Sequence, residues 1–374
     1  MTISLVVLCC LPLDPSAPAV AIAEALAGRP ESLAAVTSET GVLAAALSHT
    51  PPVTTATRGQ LVRVLRPAIA DAREITKLLQ AWRRNAAEAR LVIDSPDRVT
   101  FAITSRTLDH GCIEFSCRTA ADGRREVVDL VDQRQQLVLS QQLADAAAAV
   151  VIASQPQIGG LPAADRAALE PLALRHRMTT LRKSATLADY DAAVAALPPA
   201  VRADPSVRLG RVLVAVRGDD LEQTIASIRD ARRSPSLATT TDTLIAGYGL
   251  RAGLFEEALG AATRLRRQQP RNPHWPVLQA AAFIRLGDAD RALAALDKAT
   301  AIAPNRPTSY LTLLAHSLDA GDAEFTTRVL GEFERSDRFA LRPLGKLPGY
   351  RDFLTTPEGR AWKRHAATGR SITL

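Results

Sequence analysis

From Leu250 to Pro304 the chain reads LRAGLFEEALGAATRLRRQQPRNPHWPVLQAAAFIRLGDADRALAALDKATAIAP. Gly253 and Gly287 stand 34 residues apart, Gly321 continues the series at the same interval, and Pro270 and Pro304 repeat it. An apolar-periodic run follows each of the first two glycines: Phe255, Ala258 and Leu259, then Ala289, Ala292 and Leu293. A period of this length marks stacked helical hairpins. Glycine at the turn accepts a left-handed backbone without side-chain cost. Ala258 and Ala292 let two helices approach closely. Pro270 and Pro304 stop the second helix, and Pro273 and Pro276 suit the first turn of the next. One hairpin cannot bury its apolar face; neighbours stacked on it can.

These residues resemble the tetratricopeptide repeat. One unit matches at Leu250, Gly253, Phe255, Ala258, Leu265 and Pro270. The next matches at Phe283, Gly287, Asp288, Ala292, Leu296, Ala299 and Pro304, and a third at Tyr310, Leu313, Leu314, Gly321, Asp322, Ala323, Leu330 and Phe333. Gly218-Asp219 reads as the corner of a more divergent unit over 204–238, and Leu187 to Leu197 as the second helix of an earlier one. The resemblance runs from about residue 165 onward. It implies a TPR-like α-solenoid whose hairpins bind a protein or peptide partner.

Working outward, 374 residues allow two or three domains. With 47% apolar and 23% charged residues the chain is globular, and its scarce aromatics favour helix packed on helix. A net charge of +7 is modest for this length. The four cysteines, Cys9, Cys10, Cys112 and Cys117, do not make a disulfide framework, which points to a reducing, cytoplasmic setting. Ile3 to Leu11 reads as a buried first strand: it lacks the leading basic residue of a secretion signal and ends at Pro12. No stretch has the ~20 apolar residues of a membrane span.

Residues 58–88 read as long helical structure, kinked or split at Pro67, and 32–46 as helical or mixed with a break at Gly41. The period then changes. Val99, Phe101 and Ile103 alternate with Thr100, Ala102 and Thr104; Ile113, Phe115 and Cys117 with Cys112, Glu114 and Ser116; and Val127, Asp129 and Val131 with Val128 and Leu130. Asp122-Gly123 signals a hairpin. The expectation is an α+β N-terminal domain over 1–153 with antiparallel strands near 90–131. A linker at 154–162 precedes an all-α repeat array over 163–338, and a capping helix region covers 339–367.

Chemical constellations are weak. His110, Cys112 and Cys117 lie close in sequence, but strand alternation separates the two cysteines, so no metal site is expected. No nucleophile, phosphate-loop or metalloprotease motif appears, and neither catalytic residues nor a cofactor are expected. In the resembled family the first helix of each hairpin faces a concave groove. Arg251 and Arg285 share one register there, with His274 near the start of the second such helix. An arginine pair grips a carboxylate by bidentate bonds, so an acidic segment is the ligand it would take. Asp319 breaks the register in the third unit, and Val277 and Ala281 replace the family's carboxylate-clamp groups. From Arg335 onward nine Lys/Arg stand against three Asp/Glu, with Arg360, Lys363 and Arg364 a basic patch on the capping helix. Nucleic acid is not the expected partner, because few aromatics interleave with this charge. The leading expectation is a non-enzymatic interaction scaffold. The alternatives are an enzyme or small-ligand sensor around His110 and Glu114, and a nucleic-acid adaptor using the basic segment.

Overall fold

The computed structural model describes residues 16–27, 29–70, 73–105, 110–132, 137–154, 160–303, 307–335 and 347–368. Ile3 to Leu11, Pro304, residues 155–159 of the expected linker and the start of the expected capping region, 339–346, lie outside them. Met1–Thr241 and Asp242–Leu374 form two compact units.

The first unit opens with four helices, α1 (Ala17–Ala27), α2 (Glu39–Ser48), α3 (Thr55–Ile69) and α4 (Arg73–Asn85). An antiparallel meander follows: β1 (Ala86–Ser95), β2 (Arg98–Ser105), β3 (His110–Thr119), β4 (Arg125–Asp132) and the two-residue β5 (Leu137–Val138). The hairpin expected at Asp122-Gly123 joins β3 to β4, with Gly123 at φ +82°. Helices α5 (Leu139–Ala153), α6 (Ala163–Leu181), α7 (Leu187–Ala195), the short α8 (Pro199–Arg202), α9 (Pro205–Arg217) and α10 (Leu221–Ala231) complete it.

Several expectations shift. Ala86 to Glu88, read as helical, pair with β2 from Ala86↔Ser105 onward. Tertiary pairing overrides their helical propensity. Pro67 lies inside α3 and does not split it. Gly41 does not break α2: a Cβ there would stand 2.6 Å from Val128 Cγ1, so the glycine lets the helix lie close on β4. On β4 the buried residues are Val127, Leu130 and Asp132, so the alternation of Val127, Asp129 and Val131 does not carry through the strand. Ser116 and Cys117 of β3 pair with Asp129 and Val127, so Val128 is an extra residue on β4 and reverses the alternation beyond it.

Phe101, Phe115, Val127 and Leu130 face Ile22, Leu26, Leu61, Leu65, Ile75 and Leu79 in one apolar core. Leu169 and Leu172 of α6, beyond the expected linker, belong to that same core. Asp165, in the first turn of α6, accepts bonds from Thr54 N–H and from the Thr54 and Thr57 hydroxyls, the latter two at 2.5 Å. These bonds hold its carboxyl below the usual range, and one carboxylate serves the opening turns of two helices. Arg175, further along α6, donates to Asp145 of α5 at 2.7 and 3.1 Å and lies 3.4 Å from Asp204, the N-cap of α9.

The second unit contains the end of α11 (Ala238–Arg251), then α12 (Phe255–Gln268), α13 (His274–Arg285), α14 (Ala289–Ile302), α15 (Pro307–Ala320), α16 (Ala323–Arg335), the single turn α17 (Tyr350–Phe353) and α18 (Pro357–Thr368). Small residues sit at the helix contacts: Ala258, Ala261 and Ala262 on α12, Ala292, Ala295 and Ala299 on α14, all buried. Tyr350, Phe353 and Trp362 of α17 and α18 are buried.

Burial pushes the Asp145 carboxyl up to about 6, against the pull of Arg175. A folded-state value above the ordinary one means this group favours the fold most below pH ~4 and loses that contribution as pH rises through about 6. Arg175→Met, which leaves a buried carboxylate without its cation, is expected to cost about 3 kcal/mol at pH 8 and clearly less at pH 5. Denaturant titrations at the two pH values check it; an equal loss at both would show that the charge of Asp145 is not what Arg175 offsets.

Candidate interaction surface at the hairpin corners

Each corner closes on one residue in the left-handed region: Asp219 (φ 54°), Gly253 (76°), Gly287 (77°) and Gly321 (69°). The expected corner at Gly218 moves by one residue. Asp219, 34 positions before Gly253, carries the left-handed turn, a conformation aspartate tolerates better than most. Hydrogen bonding repeats with the register. The corner N–H donates three residues back, to Val216, Leu250, Ile284 and Leu318 carbonyls. At the three glycine corners the next N–H reaches five back, to Gly249, Phe283 and Ser317, at 2.8–3.1 Å. Asp220, Asp288 and Asp322 then cap the following helices with their carboxylates. Leu254 stands at that position in the remaining unit and supplies no side-chain cap.

The expected groove residues fall as follows. Arg285, at the end of α13, forms an ion pair with Asp319, 34 residues on at the same register, and its guanidinium lies 5.0 Å from the Phe255 ring centroid. Asp319, read as a break in an arginine row, is Arg285's partner. Arg251 is exposed, 5.5 Å over the Tyr248 ring. His274 is 6% exposed, against Trp275 with ring centroids 5.0 Å apart. Gln269 Oε1 accepts from Trp275 Nε1 at 3.0 Å and from Asn272, fixing the turn before α13. Val277 and Ala281 are 3% and 0% exposed, and every α13 residue except Phe283 and Arg285 is buried. The α13 flank expected to look into a groove is therefore closed. Beyond α13 itself, Leu286 and Gly287 at the corner and Asp290, Arg291, Ala294, Asp297 and Lys298 of α14 are exposed. His316, beside Arg285 and Asp319, has its imidazole pushed below the ordinary value by burial, with Arg285 acting in the same direction.

At the far end Arg360, Lys363 and Arg364 are exposed on α18. Arg360 donates to the Thr355 carbonyl before its own helix, and His365 lies 3.0 Å from Glu334. A cavity of about 350 Å³ opens between the Gly321 corner and α17, walled by Leu318, Ala323 and Phe353 with Asp319 and Asp352 among its lining.

In the first unit Glu114 pairs with Arg98 at 3.5 Å; the side chains of His110 and Cys112 lie outside the described residues. Cys117 is buried, and burial pushes its thiol up. One constellation escaped sequence reading: His49 Nε2 lies 2.9 Å from Ser140 Oγ, which lies 2.6 Å from Asp129 Oδ2. Ser140 gives its only hydroxyl hydrogen to Asp129, so the imidazole must donate to the serine. A nucleophilic serine needs the reverse, a base accepting its proton, and Ser140 is 0% exposed. Asp129 also accepts from Ser140 N–H at 3.0 Å, so the group fastens the start of α5. Among the described residues no cluster of three or more His, Cys, Asp or Glu could hold a metal ion, and no helix is long and apolar enough to cross a membrane.

No protein-family model matches the chain, and no curated protein matches it. Among solved structures, MamA MSR-1 aligns over 45% of this chain and 97% of its own at 14% identity and TM-score 0.35. MamA AMB-1 aligns over 48% of this chain and 98% of its own at 15% identity and TM-score 0.35. Superposition this loose places no residue, so the hairpin reading rests on the corner geometry above.

Two glycines provide a matched test. Gly287 has φ +77° and nothing within 4 Å of an added Cβ, so Gly287→Ala should cost about 1 kcal/mol by backbone conformation alone. Gly247, inside α11, has equally open surroundings and no positive φ, so Gly247→Ala should stabilise by about 0.5–1 kcal/mol. Thermal unfolding of the two variants reads the signs directly, and matching signs would refute the corner assignment.

Proposed function

We propose that this chain is a non-enzymatic interaction scaffold, holding a protein or peptide partner on TPR-like hairpins, with its sheet-containing part as anchor or second contact. The observation that carries this reading is the set of three like corners at Gly253, Gly287 and Gly321, 34 residues apart. An edge that repeats in this way is suited to an extended partner, because each corner presents the same exposed elements in turn. The closure of α13 moves the contact off that helix's flank and towards the corner edge. Leu286, 38% exposed beside Gly287, is the apolar residue placed there. The pairing of Arg285 with Asp319 favours a partner chosen by apolar contact and shape over one held by an arginine clamp.

A photo-crosslinking residue placed at Leu286 of the full chain tests this, with Val150 of α5, 49% exposed, as the control position. Cross-links to another protein from position 286 and none from 150 are expected. Cross-links only from 150, or from neither, would overturn the reading.

A further inference from the structure

The cavity between the Gly321 corner and α17 has a definite chemical sense. Leu318 and Phe353 are buried in its wall, and Ala323 is half-buried. Three hydroxyl residues also line it, and the structure shows hydrogen-bond acceptors for all three within the fold. Ser317 donates to the Leu314 carbonyl at 3.0 Å, Thr326 to the Asp322 carbonyl at 2.6 Å, and Thr356 to the Phe353 carbonyl at 2.8 Å. The side-chain hydroxyls thus have no hydrogen left for a ligand. What remains is acceptor: the carboxylate of Asp319, engaged by Arg285, and that of Asp352, which is exposed. The last turn of α15 and the first turns of α16 and α18 all meet there, so the helix dipoles offset one another and the two carboxylates set the sign. An anion would meet two carboxylates and no side-chain donor. A cation with a long apolar stem would match both the walls and the carboxylates. At about 350 Å³ the space lies at the lower end of sizes that hold a ligand group.

We infer that this cavity receives a basic side chain, an arginine above all, from the scaffold's protein partner. Its aliphatic stem lies on Leu318, Ala323 and Phe353, and its guanidinium meets Asp352 and Asp319. The inference rests on the scaffold reading and names the partner's chemistry, which is the opposite of the acidic segment an Arg251/Arg285 clamp would select.

Fluorescence anisotropy with the full chain tests it, using a labelled Gly-Ser-Gly-Arg-Gly-Ser-Gly peptide and the same peptide with Glu in place of Arg. The arginine peptide should bind and the glutamate peptide should not. Asp352→Asn, at an exposed position, should weaken binding at least about tenfold, the scale of one charge-assisted hydrogen bond. Ala323→Phe, which fills the cavity and keeps both carboxylates, should abolish it. No binding of the arginine peptide, equal binding of both peptides, or binding unchanged in both variants would overturn the assignment. Cross-links from position 286 together with a peptide indifferent to Asp352 would leave the scaffold standing and remove the cavity. Peptide binding that depends on Asp352, without those cross-links, would do the reverse.

Discussion

Arg175 is the constraint on which the first unit's construction turns. It sits on α6, reaches back to Asp145 of α5 and forward to Asp204 at the start of α9. A guanidinium between two carboxylates of low exposure joins the sheet-bearing part to the first hairpin helices by a contact that apolar packing could not make specific. Asp165 repeats the device one turn from the helix start, with two threonines of α3. Leu169 and Leu172 lie between these polar ties and fill the same core as the sheet. Polar stitches thus set the position of α6, and apolar burial between them supplies most of the favourable free energy.

The same economy of local signals explains what a reader of the sequence could see. The corners were visible because a left-handed turn narrows the choice of residue to glycine at 253, 287 and 321. The hairpin at Asp122-Gly123 was visible for the same reason. Asp219 hid the first corner because aspartate serves many other roles, so its place is clear only once the 34-residue count is carried back from Gly253. Gly41 misled in the opposite sense: it is there for the close approach of Val128, and nothing local announces that.

What remained invisible depends on pairing between distant residues. The shift between β3 and β4 that turns Leu130 inward and Val131 outward is a property of two strands, and neither carries a mark of it. The reach of β1 back to Ala86 is dictated by β2. The burial of His274 follows from its turn, where Gln269, Asn272 and Trp275 lock together. The candidate site suffers most from this, since a site is a meeting of residues. Arg285 looked like half of a clamp because its register neighbour on one side is Arg251. Its neighbour on the other side, Asp319, claims it in the fold.

That claim changes the electrostatic character of the surface. An arginine row along the corners would attract acidic chains over the range of a Debye length, ~8–10 Å at ordinary salt. A row interrupted by an ion pair has no such field, and under the proposed scaffold reading a partner would be selected at contact distance instead. Leu286 offers apolar area beside Gly287, and Asp352 stands at the cavity mouth one corner later. Specificity built this way comes from shape and from a few placed groups rather than from net charge. A net charge of +7 over 374 residues is consistent with the mode of recognition proposed above.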